Sequence, residues 1–148
     1  MRKIPAILAT VALAGLGVIV PAATAQAAPN CSDNYTGAGS GFMYAYNDAY
    51  CEGYLGSSSG NDADWGNSSG SFQGWEDNEA SSILNKGNDY EVKFYSGTVY
   101  TLGHICLSRD EAYASDLSND TMSNGASANN TISSHQWVSE GSCTKWAS

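Results

Sequence analysis

Two short polar segments of this sequence carry the kinds of oxygen atoms that bind hard metal ions. They read DNEASS at residues 77–82 and NNTISS at residues 129–134, so the second begins 52 residues after the first. Each hexad opens with two acidic or amide residues and closes with two serines. A short turn of this composition offers a carboxylate or amide oxygen, a backbone carbonyl oxygen and a hydroxyl, and Ca²⁺ takes six to eight oxygen ligands. The pattern therefore predicts a pair of calcium sites.

The charge of the two hexads sets the affinity that we expect. Asp77 and Glu79 make the first hexad acidic, whereas the second has no formal charge. Because calcium affinity falls with fewer charged ligands, we expect weak sites, with dissociation constants of about 1 µM or higher, and tighter binding at the first. The candidate metal ligands are Asp77, Asn78, Glu79, Ser81, Asn129, Asn130, Thr131 and Ser133.

A purely structural interpretation of the hexads stays open. Asparagine, aspartate and serine side chains also stabilise turns by bonding to nearby backbone amides, and this needs no metal. Either use requires strands that hold the hexads in place.

Strands, rather than helices, are the elements that the sequence predicts around the hexads. In YEVKFY, Tyr90, Val92 and Phe94 alternate with Glu91, Lys93 and Tyr95, which is typical of a strand with one buried face. Segments rich in Gly, Ser and Asn separate the candidates, so an antiparallel sandwich or barrel is favoured. One or two helical turns are predicted over residues 111–117. The predicted strands are GFMYAY, SFQGW, YEVKFY, VYTLGHICL and ISSHQWV.

The hexads belong to a longer internal repeat. Aromatic hairpin segments precede them, YNDAYCEG from Tyr46 and YSGTVYTLG from Tyr95, with an offset of 49 residues. Two features that recur in the same order at nearly the same offset indicate two copies of a unit of about fifty residues.

The first 27 residues have the features of a secretory signal peptide. Arg2 and Lys3 precede an apolar run from Ile4 to Val20, and the segment AQA ends at Ala27. We predict cleavage after Ala27 and secretion, because the apolar run is short for a membrane anchor and no basic stop-transfer cluster follows it.

The chain that remains is strongly acidic. It holds four basic residues against fifteen acidic ones, which leaves a net charge of −11. Such a surface repels nucleic acid phosphates and anionic lipid headgroups, so we expect neither partner, and it favours cations.

Four cysteines, an even number in an oxidising compartment, predict two disulfides. They are Cys31, Cys51, Cys106 and Cys143, and no close C-x-x-C pair suggests zinc. Three connectivities are possible. We favour Cys31–Cys51 with Cys106–Cys143, which would pin each chain end onto the nearer half.

No catalytic motif has the context that it needs, and we predict that the protein is not an enzyme. GSSSG at residues 56–60 and GNSSG at residues 66–70 match G-x-S-x-G but lie in Ser/Gly loops without a following helix. His104 and His135 are the two histidines, and there is no H-E-x-x-H.

An aromatic hairpin followed by [ND][ND]xx[ST]S, given twice, resembles the βγ-crystallin family. The resemblance implies an all-β, disulfide-stapled sandwich of two Greek-key motifs over residues 42–138, about 42–86 and about 88–138. Residues 28–41 then form an N-terminal segment and residues 139–148 a C-terminal tail. The family spaces its hairpin aromatic and glycine seven residues apart, as Tyr46 and Gly53 are, but Gly103 stands eight after Tyr95.

By this resemblance, the second hexad residue supplies a side-chain oxygen, the third a carbonyl and the fifth a hydroxyl. Carbonyls near Asp48 and near Gly97 or Thr98 would add one ligand each. The expected function is that of a secreted, monomeric calcium-binding module.

Two other functions remain open. The layout is also similar to that of secreted actinobacterial proteins of peptidase inhibitor family I36, some of which inhibit metalloproteinases, so a secreted protease is a possible partner. Exposed Trp and Tyr side chains could instead bind cell-wall glycans.

Overall fold

Seven strands and one short helix form the fold of residues 30–148, the part of the chain that the computed structural model describes. The predicted signal peptide, residues 1–27, lies outside the described residues. Helix α1 spans Cys31–Gly37 and begins after Asn30, whose side chain accepts a hydrogen bond from the Asp33 amide. The strands are β1 Met43–Tyr46, β2 Tyr54–Ser58, β3 Ser82–Asn85, β4 Glu91–Gly97, β5 Thr101–Leu107, β6 Tyr113–Ala114 and β7 Ser134–Val138.

The strands pair into two antiparallel sheets. One has the order β2-β1-β3-β6 and the other β5-β4-β7. This confirms the predicted all-β sandwich. No helix in the described part of the chain is long and apolar enough to cross a membrane.

The core lies between the sheets and is largely aliphatic and aromatic. Val92 and Phe94 of β4 are fully buried, as the alternation in YEVKFY predicts. The alternation is wrong for Tyr90, which precedes β4 and is 54% exposed, and on the opposite face Glu91 and Tyr95 are buried as well. The Trp65 ring stacks on Phe72, with centroids 3.9 Å apart and planes inclined by 11°. Burial of these large side chains supplies the main stabilisation of the described chain.

The two halves exchange backbone pairs according to the repeat. Asp62, in the first half, pairs with His135 of β7, while Ala114, in the second half, pairs with Ile83 of β3. Asp62 and Ala114 are 52 residues apart, as are their partners Ile83 and His135, and this spacing matches the offset of the hexads. The repeat is therefore a structural duplication in which each half completes the sheet of the other.

Two predicted elements differ in the structure. SFQGW is a loop, because the amides of Ser71 and Phe72 both donate to the Asp62 carboxylate and curl the chain around it. The helical turns predicted over residues 111–117 are wrong, since this segment contains β6 and only the first residue of a 3-10 turn, Leu117–Asn119.

Both favoured disulfides are confirmed. Cys31–Cys51 joins α1 to the first hairpin, and Cys106–Cys143 joins β5 to the end of the chain. The last ten residues also pack on the sandwich, because the amide of Ala147 donates to the carbonyl of Cys106 at 2.8 Å.

Candidate metal-binding corners

Each hexad forms a corner that leads directly into a strand, the first into β3 and the second into β7. Asn78 and Asn130, the second residues of the hexads, both have left-handed backbones, with φ of 60° and 54°. Asparagine tolerates this conformation better than most residues, because its short polar side chain bonds locally. The backbone turn aims the two amide side chains at the opposite corner.

The amide oxygens of Asn78 and Asn130 each accept a hydrogen bond from a serine of the other hexad. The Ser133 hydroxyl donates to Asn78 Oδ1 at 3.2 Å, and the Ser81 hydroxyl donates to Asn130 Oδ1 at 3.0 Å. Backbone bonds follow the same exchange: the Asn78 amide donates to the Ile132 carbonyl at 3.0 Å, and that of Asn130 to Ala80 at 2.9 Å. The candidate ligand atoms therefore form two groups, and each group contains atoms from both hexads.

The hairpins brace these corners from the side. The amide of Ser81 donates to the carbonyl of Tyr46 at 2.8 Å, and the amide of Ser133 donates to that of Tyr95 at 2.9 Å. These two bonds are equivalent under the repeat. They fix the position of each hydroxyl-bearing serine relative to its hairpin.

The hairpin carbonyls that the sequence suggested as ligands already accept hydrogen bonds. The Ser82 hydroxyl donates to the Asp48 carbonyl at 2.7 Å, and the Ser134 hydroxyl donates to the Gly97 carbonyl at 2.6 Å. A carbonyl oxygen has two lone pairs, so it can still face a cation. The last serine of each hexad thus orients its hairpin.

The hairpin loops are equally long, contrary to the sequence comparison. Leu102, with φ of 66°, takes the place of Gly53, with φ of 63°, and the two positions are 49 residues apart. Gly103 is therefore not the counterpart of the family glycine. A leucine in the left-handed region is uncommon, so the sequence motif did not reveal it.

We call the first corner the set Asn47, Glu79, Ser81 and Asn130. A terminal atom of the Asn47 amide lies 3.2 Å from the Glu79 carbonyl oxygen and 3.3 Å from Glu79 Oε2. The amide nitrogen of Asn47 suits this position, where it donates to both Glu79 oxygens and ties the hairpin to the first hexad. The carbonyl and carboxylate oxygens of Glu79 are of the kinds that bind a hard cation. Asn47 was missed in the sequence, although it directly follows the hairpin aromatic Tyr46.

We call the second corner the set Asp77, Asn78 and Ser133. Asn78 Nδ2 donates to Asp77 Oδ2 at 2.7 Å, so this carboxylate is tied to the amide that faces Ser133. Asp77 Oδ1 is buried without a hydrogen-bond partner among residues 30–148. A buried carboxylate oxygen without a donor is costly, and a cation nearby would offset that cost.

The side chains of the two remaining predicted ligands, Asn129 and Thr131, make no hydrogen bond to either corner within the described residues, and the role of the Thr131 carbonyl stays a prediction. The Thr131 hydroxyl contacts the carbonyls of Ser127 and Ala128 at 2.7 and 3.0 Å. The Asn129 side chain makes no hydrogen bond within the described part of the chain. No group of three or more His, Cys, Asp or Glu side chains gathers in residues 30–148. Neutral amide, carbonyl and hydroxyl oxygens would supply most ligands of any ion here.

The two histidines occupy structural positions. His135 is fully buried, accepts a hydrogen bond from Trp65 Nε1 at 2.9 Å and bonds through Nε2 to the Gly60 carbonyl. Burial lowers the pKa of His135 to about 4, against the smaller raising effects of Gly60 and Asp62. Burial, helped by Lys93, also lowers the pKa of His104, whose ring contacts the hydroxyls of Ser123 and Thr144.

Comparison with known proteins gives a fold match. No protein-family model matches the sequence, and no curated protein matches it. A solved structure described as "Evolution of the eye lens beta-gamma-crystallin domain fold" is similar, with a TM-score of 0.52 and 20% sequence identity. The match covers 69% of this chain and 89% of that one. The chain therefore has the βγ-crystallin fold.

Proposed function

We propose that this protein is an exported, calcium-binding βγ-crystallin-like module whose two mixed corners each hold an ion. The observation that carries the proposal is the reciprocal pairing of Asn78 with Ser133 and of Asn130 with Ser81. A purely structural turn could satisfy the amide oxygen of each asparagine within its own hexad, as Asp77 satisfies the amide nitrogen of Asn78. The exchanged pairing instead places oxygen donors from both halves at each corner.

The distribution of charge supports two sites of similar strength. Glu79 belongs to the first corner, whereas Asp77 is bonded to Asn78 of the second. Each corner thus has one carboxylate, although both carboxylates come from the same hexad. One acidic ligand per ion is few, so dissociation constants of about 1 µM or higher still follow.

Calcium would act by stabilising the native state. An ion that contacts oxygens from two halves binds only when both halves are assembled, so it shifts the equilibrium away from the unfolded chain. The two disulfides limit how far that chain can expand in an oxidising environment. The ion and the crosslinks would stabilise the same assembly.

A thermal melt with and without calcium tests this function. At calcium about 100-fold above the dissociation constant, one site adds about 2.7 kcal/mol, which is a shift of roughly 10 °C for a domain of this size. The variant S81A/S133A lacks one hydroxyl at each corner and should lose most of the shift. An identical melting temperature in calcium and in EGTA for the unmodified protein would contradict the proposal.

A matched control separates the corners from serine loss in general. Ser32 and Ser59 are exposed, and their hydroxyls make no hydrogen bond within the described residues. The variant S32A/S59A should therefore keep the full calcium shift. Magnesium in place of calcium should give a smaller shift, because Mg²⁺ demands a tighter octahedral shell than irregular corners provide.

Protease inhibition is a second candidate, favoured by the tip of the second hairpin. Val99 and Leu102 are 66% and 76% exposed. The Ser134 hydroxyl braces this tip, since it donates to Gly97 and accepts from the Tyr100 amide at 3.3 Å. A rigid apolar tip limits the entropy lost on entering a protease cleft. Stoichiometric inhibition within a panel of secreted metalloproteinases, lost in V99S/L102S, would support this function; full activity across the panel would exclude those enzymes.

A further inference from the structure

A groove of about 620 Å³ runs between helix α1 and the first hairpin. It lies beside strands β1 and β2, and neither hexad lines it. Its size is in the range of ligand sites and exceeds the needs of a single small ion. The residues that give it chemical character are three tyrosines and two carboxylates, Tyr44, Tyr46, Tyr54, Asp33 and Glu52.

The tyrosine rings form inclined walls. Tyr54, which is 58% exposed, has its ring centroid 6.4 Å from that of Tyr44 and 6.1 Å from that of Tyr46. Its plane is inclined by 51° to the first ring and by 67° to the second. Tyr46 is 5% exposed, so a cation in the groove meets mainly the rings of Tyr54 and Tyr44. Their inclined faces at this spacing allow one cation to approach both within about 6 Å.

The ring of Tyr46 stays uncharged over the usual pH range. Burial, reinforced by the neighbouring Tyr44 and Tyr54, raises the pKa of Tyr46 to about 12. Tyr44 and Tyr54 are also held in place, because the Tyr44 hydroxyl accepts from the Gly39 amide and the Tyr54 hydroxyl donates to Ser57. Two of the three rings are thus held by hydrogen bonds, and the third is held by burial.

The charge of the groove is negative and uncompensated. The side chains of Asp33 and Glu52 have neither a hydrogen-bond donor nor an ion-pair partner within residues 30–148. The four basic residues of this part of the chain lie outside the groove lining. Lys86, for example, sits over the ring of Tyr35, 3.7 Å from its centroid. A ligand that complements this groove must bring positive charge.

The walls of the groove are crosslinked. The Cys31–Cys51 disulfide joins α1 to the hairpin, and Asn34 Nδ2 donates to the Cys51 carbonyl at 2.6 Å. These contacts keep the helix at a fixed distance from the tyrosines. A preorganised groove loses little conformational entropy on binding.

From these features we infer that the groove binds a lysine-containing peptide segment, with a lysine ammonium against the tyrosine faces and a second positive charge near Asp33 and Glu52. The volume favours a peptide, since a free ammonium ion would leave most of the groove empty. This site does not depend on calcium, and its test is therefore made in EGTA.

Fluorescence anisotropy with a labelled trilysine peptide tests the inference. Its control probe is the same peptide with all three side chains acetylated, which removes the positive charge and keeps the length. We expect saturable binding of trilysine and at least about tenfold weaker binding of the acetylated form. Equal binding of both probes, or displacement of trilysine by neutral chitotriose, would overturn the inference in favour of an uncharged ligand such as a glycan.

Matched variants distinguish the groove from general attraction to an acidic surface. D33N/E52Q should weaken trilysine binding about tenfold, whereas D110N/E140Q, which removes two exposed charges outside the groove, should change it less than about twofold. Equal losses in the two double variants would reduce the effect to net charge and overturn the inference.

The aromatic contribution has its own pair of controls. Tyr54→Ala should weaken binding about fivefold, while Tyr54→Phe keeps the ring face and should bind as the unmodified protein does. Tyr90 is 54% exposed but lies outside this groove, so Tyr90→Ala should have no effect. Circular dichroism confirms that each variant is folded, and unchanged affinity in folded Tyr54→Ala would contradict the cation–π contact.

Discussion

Asn78 accepts a hydrogen bond from the hydroxyl of Ser133, which lies 55 residues further along the chain and in the other half of the duplication. Together with its counterpart between Ser81 and Asn130, this bond makes each corner a joint product of both hexads. The calcium sites that we propose are consequently shared sites. Mutations in one hexad must then affect the binding of ions assigned to the other.

A double-mutant cycle measures the coupling between the two hexads. In calcium, Asn78→Ala and Ser133→Ala should be coupled by about 0.5–1 kcal/mol in the free energy of unfolding, because each removes one side of the same contact. The within-hexad pair Asn78→Ala and Ser81→Ala should be closer to additive. Urea unfolding of the unmodified protein, the three single variants and the two double variants supplies the energies. Stronger coupling within a hexad than across hexads would show that the two ligand sets are not mixed.

Acid should destabilise the protein through His135. The folded pKa of about 4 is lower than the ordinary value of 6.5, so unfolding takes up a proton between these values. The contribution of neutral His135 is fully present above pH 6.5 and is lost as the pH falls towards 4, by about 1.4 kcal/mol per pH unit. Urea unfolding between pH 7 and pH 5 checks this slope. His135→Gln should be less stable at pH 7 and should lose this part of the pH dependence; an unchanged slope would assign it to other groups.

Gly56 should resist substitution because of the Phe72 ring. A Cβ at Gly56 would lie 2.8 Å from Cε1 and 3.1 Å from Cδ1 of Phe72, whose ring is itself stacked on Trp65. Gly56→Ala should lower the free energy of unfolding by about 1–3 kcal/mol. Gly141→Ala is the control, since no atom lies within 4 Å of its added Cβ. Similar melting temperatures for both variants would mean that the stacked pair shifts freely.

Val99 should be replaceable by glycine with a gain in stability. It is a β-branched residue with φ of 54°, and its side chain is 66% exposed, so its strain is offset by little burial. Val99→Gly should raise the free energy of unfolding by about 1 kcal/mol. At the neighbouring Thr98, which does not have positive φ, glycine should instead be destabilising. A loss of stability in Val99→Gly would show that the valine side chain makes a favourable contact.

Local patterns in the sequence predicted much of this fold. The alternation around Val92 and Phe94 identified β4, the repeated hexads identified the corners, and the position of each cysteine in its half gave both disulfides. These features depend on neighbours in sequence or on simple counting. They could be read without knowing which strands pair.

Features that depend on long-range pairing were not accessible in this way. The SFQGW loop follows from two amides that bind Asp62, nine and ten residues away, and the strand propensity of its aromatics gave no hint of this. The pairing of Asn78 with Ser133 requires the two halves to face each other, which no local motif states. Leu102 in the glycine position concealed the equal length of the hairpins, because a leucine rarely adopts positive φ.

Asp62 pairs with a strand of the second half and Ala114 with a strand of the first, so neither half has a complete sheet by itself. A fragment that ended before β4 would keep β3 but lose the strand that covers its outer edge, and its corner would lack Asn130 and Ser133. Two such fragments would have to associate to recover these contacts. The pair of motifs, and not the single motif, is therefore the smallest unit that satisfies its own edges.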